Sequence, residues 1–446
     1  MLTAGSDVNK ATELDHTQKT AKVDGRSPDN ILTSTFSDEL AIHYAGQSKI
    51  FGVSVKDRGA VALAGHAGKA FWFSKASGQF VTSSYYYDSY PEWVNTWNAA
   101  NLISPYASNP WKLSNPPGSY LYGDADDRDY ETDIPGFGRV FPHAYGAEDD
   151  KYFTTRLTLS PAGDELTLNF AKVLLEAEQL GQDEVPDYLS ISFSSTDYVG
   201  HIFGASSLES EDNIARLDRT LAELFSFVDE KVGLDNTLIV LSSDHGQPEV
   251  PGHLNELGID KAHYFDIEGL DKTPAIELLK KQFGLVEGLI EEYFHPYIYL
   301  NRSLIDERGL NQLEVEKAIA AELMKINGVA YAVSSTEMRS ADLPDTPLMR
   351  SILNNFHSRR SGDIYLVFEP DVFINDFDGL EVSSAHGSPW RYDTFVPVIF
   401  AGSGISPQKI SRPITPYDIA PTLSAYLGVK PPSGSVATPL EEVLAK

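Results

Sequence analysis

The sequence contains no cysteine. A disulfide framework, a thiolate-held zinc, an iron–sulfur cluster and a thiol nucleophile are therefore excluded. Any metal site must be built from His, Asp and Glu. Positive charge is scarce as well: 35 Lys and Arg stand against 64 Asp and Glu, a formal net charge of −29. Such a chain is a poor partner for nucleic-acid polymers or anionic lipid, although a few converging basic side chains can still take one small anion. No apolar run reaches the ~18 residues that cross a bilayer. Met1 to Lys10 is polar and lacks the apolar stretch of a signal peptide. What is present is a core-forming composition. The 446 residues are 42% hydrophobic and 11% aromatic, which excludes bulk disorder and suffices for a large α/β domain with an insertion.

The pattern along the chain alternates short apolar strands with amphipathic helices. Residues 1–26 read as a polar, turn-rich segment. Asn30 to Ala45 is expected to be helical and Ser48 to Val55 a strand. From Tyr85 to Asp150 the chain is rich in Tyr, Trp, Pro, Asp and Gly, a loop-heavy excursion held by aromatic packing, with Tyr85-Tyr86-Tyr87 as a packed strand. Pro161 to Leu180 is expected as a helix and Tyr188 to Ser194 as a strand. Glu209 to Val232 carries Ile214, Leu217, Leu221, Leu224, Phe225 and Val228 on one helical face. Thr237 to Leu241 reads as a buried parallel strand. The rhythm breaks over residues 252–342, read as an inserted α+β subdomain between a first core segment, 27–251, and a last one, 343–446, which resumes with Asp363 to Phe368. The fold class expected is α/β, a mostly parallel sheet sandwiched by helices.

Three polar clusters follow three of these strands, where open α/β sheets place their ligands. Asp197-Tyr198-Val199-Gly200-His201 sets a carboxylate and an imidazole four residues apart, able to meet one cation. Ser243-Asp244-His245-Gly246 follows the Thr237 strand, and Ala385-His386-Gly387-Ser388-Pro389 is a glycine-flanked His. Alone, each is an ordinary cap or surface His; together they point to a metal held by carboxylate and imidazole, a donor set suited to zinc.

The ordered set D-x-x-G-H-x-x-G, S-D-H-G and H-G-S-P, with Tyr392-Asp393 and Val396-Pro397 after it, resembles the alkaline phosphatase superfamily. The zinc-dependent, phosphate-irrepressible alkaline phosphatases fit best, beside the nucleotide pyrophosphatase/phosphodiesterases. Lys56-Asp57-Arg58-Gly59, Ser27-Pro28 and the stretch Thr415 to Leu423 fit that branch too. The resemblance implies that Asp197, His201 and His386 ligate one zinc, and that Asp244 and His245 give two ligands to a second. It implies that Lys56 and Arg58 hold phosphoryl oxygens in a monoesterase acting through a phosphoenzyme on Thr or Ser. The substrate implied is a small phosphate ester and the compartment the periplasm or outside the cell; oligomeric state is left open. Other histidines (His66, His253, His357) have no comparable constellation.

Two parts of the family pattern have no counterpart here: an early strand ending in a metal-binding Asp, and the nucleophile in a helix start. Thr3, Ser6, Thr12, Thr17 and Thr20 lack that context. The expectations are an exposed strand edge, one zinc site with three ligands and another with two, and a chain unable to form the phosphoenzyme by itself. A phosphodiesterase on the same scaffold and a non-catalytic metal- or phosphate-binding fragment stand as alternatives.

Overall fold

The computed structural model describes residues 12–14, 24–285, 288–340, 343–377 and 380–444. The central sheet starts from β1 (Ile50–Ser54), every residue of which is buried. It pairs in parallel with β2 (Lys69–Ser74) on one side and β4 (Tyr188–Ser192) on the other, and β3 (Gln79–Val81) closes the far edge antiparallel to β2. The strand order is β3-β2-β1-β4.

Helices α1 (Phe36–His43) and α2 (Asp57–Ala64) flank β1 in sequence. The α1 start lies later than the expected Asn30, because Thr35 and Asp38 form a reciprocal capping box that fixes the N-terminus. Gly52 faces α2 so closely that a Cβ there would sit 2.3 Å from the Ala60 carbonyl oxygen. The alternate face of the sheet carries Val53 and, opposite it in register, Phe71. Phe71 packs against Phe170 of α5 (Pro161–Ala177), which also stacks on Phe80 at 4.3 Å between ring centroids. Helices therefore cover both faces, as expected.

The aromatic-rich excursion contains α3 (Glu92–Ala99) and ends at α4 (Phe153–Thr158). Trp97, Trp111, Phe137 and Tyr145 bury themselves in the main core. The Tyr85–Tyr87 segment is a turn rather than a strand: Tyr86 is buried while Tyr85 remains exposed. After β4 come α6 (Ser195–Phe203) and α7 (Leu208–Lys231). The expected helix at 209–232 is present, yet none of its six apolar-face residues is fully buried and Ile214 is 54% exposed.

β5 (Leu238–Ser242) departs from expectation. It is antiparallel to its partner, β14 (Val398–Gly402), and half-buried along its length. Among the described residues β4 pairs with β1 alone and β5 with β14 alone, so each keeps one unpaired edge. The sequence leads to an exposed strand edge; among the described residues these edges are unpaired and their strands half-buried.

The intervening subdomain forms an antiparallel sheet of β7 (Ile290–Phe294), β8 (Tyr297–Leu300), β9 (Val329–Ser334) and β10 (Ile364–Phe368), in the order β7-β8-β10-β9. Asp363 to Phe368, expected to resume the core, instead pairs with β8 and β9, so the boundary at 342 cuts through this unit. Short two-stranded ribbons join it to the core: β6 (His263–Tyr264) with β11 (Val372–Phe373), and β12 (Asp376–Phe377) with β13 (Leu380–Glu381).

Candidate metal centre and phosphoryl site

The ends of β4 and β5 and the segment after β13 bring the three clusters to one place, beside the Lys56 turn at the end of β1. Ser194 leads into α6, and Asp164 of α5 accepts hydrogen bonds from the Ser195 N–H (3.0 Å) and the Thr196 hydroxyl (3.2 Å), fixing the first turn. Asp197 and His201 then fall one turn apart on one helical face. The Asp197 Oδ1 atom is approached by three imidazole Nε2 atoms: His386 at 3.2 Å, His201 at 3.4 Å and His245 at 3.5 Å. Ligand atoms of Asp197, His201 and His386 lie within 4.8 Å of one another. The His245 and His386 rings stack with centroids 3.3 Å apart.

Two of the three rings are oriented from behind. His201 Nδ1 is 2.7 Å from the Ser384 carbonyl and His245 Nδ1 is 2.8 Å from that of Gly246. Both rings therefore donate through Nδ1 and present Nε2 to the centre, the usual arrangement behind a ligating imidazole. Asp393 ties two of the clusters together. Its carboxylate accepts from the Gly387 N–H, the Ser388 N–H and the Ser388 hydroxyl, and its carbonyl accepts from the Gly246 N–H at 2.7 Å. Gly246 is required here, since a Cβ would sit 2.0 Å from the Tyr392 carbonyl oxygen. Gly387 takes φ +110, a conformation other residues resist.

Burial works against the charged form of Asp197, but interaction with His201 and His386 and the nearby positive charge of Lys56 prevail and hold its carboxyl far below the usual range. His386 is pushed down, by desolvation first, against the pull of Asp197. An anionic Asp197 and a neutral His386 are the forms a zinc ion requires. The donor set, one carboxylate with two or three imidazoles and no sulfur, fits zinc.

Lys56 caps the start of α2, and its ammonium pairs with Asp197 Oδ2. A serine network anchors the turn: the Lys56 N–H donates to Ser54 Oγ at 2.9 Å, and Ser54 and Ser192 both bond Ser194. Arg58 is half exposed and 3.9 Å from Asp57, which Arg26 grips at 2.6 Å. Lys56 also sits 4.5 Å from the centroid of the Tyr198 ring. Burial pushes the Tyr198 phenol up to about 12, so it stays protonated.

One expected ligand stands apart. The Asp244 side chain is 87% exposed and 3.6 Å from His245 Nε2, outside the cluster formed by Asp197, His201 and His386. Candidate nucleophiles Thr3, Ser6, Thr17 and Thr20 lie outside the described residues; Thr12 forms an isolated bridge with Asp24. Sequence reading passed over Lys75, which extends from the end of β2 to the same Tyr198 ring, 4.5 Å from its centroid. A charged residue directly after the strand Lys69–Ser74, one strand from the Lys56 turn, was the available signal.

An α/β sheet with an Asp–His metal cluster and adjacent cations at its strand ends defines a metal-dependent phosphoester hydrolase scaffold. Residues 24–389 match the model of the type I phosphodiesterase / nucleotide pyrophosphatase family. The chain belongs to that family, and within it is of the alkaline phosphatase type. It is 33% identical over 429 residues to alkaline phosphatase PhoV of Synechococcus elongatus, covering 94% of this chain and 74% of the relative. It is 33% identical over 428 residues to alkaline phosphatase PafA of Elizabethkingia meningoseptica, covering 94% and 76%. A crystal structure of wild-type PafA superposes with a TM-score of 0.89 at 32% identity, covering 99% of this chain and 83% of that one. A protein of Myroides odoratus named a calcium-transporting ATPase is 35% identical over 427 residues, covering 95% and 77%. Among the described residues of the present chain no helix is long and apolar enough to cross a membrane.

Proposed function

We propose that the chain binds phosphate monoesters at a zinc centre held by Asp197, His201 and His386, with Lys56 and Arg58 gripping the phosphoryl oxygens. The observation that carries this reading is the convergence of three imidazole nitrogens on Asp197 Oδ1 beside the Lys56 ammonium. A zinc pair would supply Lewis acidity to the attacking and the departing oxygens. Asp244 and His245 are the residues available to a second ion, with Asp244 turning inward from solvent.

The protein's own part is positioning. A monoester dianion carries more charge than a diester, and Lys56 with Arg58 gives two cations to meet it, Arg by a two-pronged grip. The short serine network holds Lys56 at the level of Asp197, so the ester phosphorus is presented to the metal side of the cleft. Several hydroxyls around the site are already engaged: Ser54, Ser192 and Ser194 with one another, Ser388 with Asp393, and Ser243 with the His245 carbonyl. None of these named hydroxyls is without a partner, which supports binding with little turnover. The substrate class is a small phosphate ester rather than a polyanion, and the compartment that goes with this branch is the periplasm or the exterior.

The test is elemental analysis of the purified 446-residue chain, followed by assay of p-nitrophenyl phosphate and its bis-ester. One tightly held zinc per chain, phosphate binding and little turnover is the expected result. Chelator-sensitive monoester turnover at enzyme-like rates would overturn the expectation of little turnover. A preference for the bis-ester would favour the diesterase alternative, which the family description includes.

A further inference from the structure

The row of cations at the end of the central sheet extends one strand further than a single phosphoryl group needs. In the order β2-β1-β4, β1 ends at the Lys56 turn and β4 at Asp197-Tyr198. β2 runs parallel to β1 with Ser54 opposite Trp72, so Lys75 emerges from β2 at nearly the level where Lys56 emerges from β1, about 5 Å along the sheet. The two ammonium groups approach the same aromatic ring, each 4.5 Å from the Tyr198 centroid.

Their pairing differs. Lys56 is neutralised by Asp197. No carboxylate among the described residues pairs with Lys75; its ammonium contacts the Tyr198 hydroxyl at 3.5 Å. In a chain with 64 acidic and 35 basic residues a lysine without a carboxylate partner beside two other cations is poorly explained by fold stability. Desolvation first, then repulsion from Lys56 and Arg58, pushes the Lys75 ammonium down, opposed by Asp57. The side chain nevertheless reaches solvent, so an incoming ligand can touch it. An added anion would relieve that repulsion.

We propose that Lys75 forms, with the Tyr198 hydroxyl, a second anion subsite that selects phosphate esters carrying a further anionic group, carboxylate or phosphate, on the same molecule. The proposal rests on the reading of Lys56 and Arg58 as the phosphoryl grip and assigns Lys75 no part in that grip. Esters with neutral organic portions gain nothing from Lys75; doubly anionic ones gain one charge-assisted contact.

Isothermal titration of the zinc-loaded chain with two non-hydrolysable probes tests this: methylphosphonate, with one anionic group, and 3-phosphonopropionate, with a carboxylate in addition. Wild-type chain is expected to bind 3-phosphonopropionate about fivefold more tightly than methylphosphonate, an advantage that shrinks as salt is raised. Lys75→Met is expected to erase that advantage and leave methylphosphonate within twofold, and Lys75→Arg to restore it. Lys56→Met weakens both probes. The second subsite is overturned if Lys75→Met leaves the advantage intact or weakens both probes equally. Failure of methylphosphonate to bind wild-type chain would instead bring down the phosphoryl-site reading itself, and this proposal with it. Because Lys75 is exposed, a melting temperature matching wild type confirms that the variant folds.

Discussion

Replacing Asp197 by asparagine removes one charge from the point where three imidazoles and one ammonium meet, and its cost in zinc affinity can be worked from the geometry. Structural zinc sites with four protein ligands bind with an apparent free energy of about 10–16 kcal/mol, so each ligand accounts for roughly 3 kcal/mol. Since 1.4 kcal/mol is a factor of ten, losing the Asp197 carboxylate should weaken zinc binding roughly 100- to 1,000-fold. Asp244 offers the contrast. Its side chain is 87% exposed and lies 3.6 Å from His245 Nε2, so Asp244→Asn should change the affinity of the first zinc by less than about threefold, in the range of weak surface charge effects. The assay is competition with a fluorescent zinc chelator at constant pH and salt, with each variant's fold checked by circular dichroism. Comparable losses in the two variants would refute the reasoning, because they would mean that the first ion draws on Asp244 as strongly as on Asp197.

Asp164 is fully buried behind the start of α6, and desolvation, only partly offset by the Ser195 N–H and Thr196 hydroxyl, raises its carboxyl to about 7. A raised folded-state value means stability present below the unfolded value near ~3.9 and lost as pH climbs to about 7, an order of 4 kcal/mol at most. The gap in unfolding free energy between Asp164→Asn and wild type, measured by urea titration, should therefore shift in the variant's favour from pH 4 to pH 7 and then level off. Phe170→Ala removes a ring packed against Phe71, Phe80, Trp93 and Trp97; a loss of about 3–5 kcal/mol in chemical denaturation is expected. Gly246→Ala must push the Tyr392 carbonyl aside, so it should lower zinc affinity about tenfold or more while leaving the far-UV spectrum unchanged.

Much of the site was legible because its residues announce themselves locally. Asp197 and His201 are four apart in a segment that follows a strand, and His386 is bracketed by residues that leave the backbone free to turn. Adjacent residues were harder. Asp244 and His245 look equivalent in sequence, but at the bend after β5 the Asp244 side chain turns to solvent and only His245 reaches Asp197. Lys75 was missed for the opposite reason: a lysine after an apolar strand is usually a solvated end, and only the register of β2 against β1 shows what stands beside it. At the level of fold, period 3.6 located α7 within a residue at each end, yet periodicity cannot say whether an apolar face has something to cover it. Likewise Ile364–Phe368 reads as a buried strand in either domain, and its partners, β8 and β9, lie far away in the chain. The Tyr85–Tyr87 turn shows propensity overridden by packing.

The unpaired edges of β4 and β5 give the metal centre a second role. Strand hydrogen bonds do not join these two parts of the sheet among the described residues, yet Asp197 follows one strand and His245 the other, and His386 comes 189 residues after Asp197 (386 − 197). An ion shared by these side chains would act as a rivet between two panels that the backbone leaves unfastened. It would close a long loop at a cost that grows only slowly with length, and the alignment of the panels would then depend on whether the metal is bound.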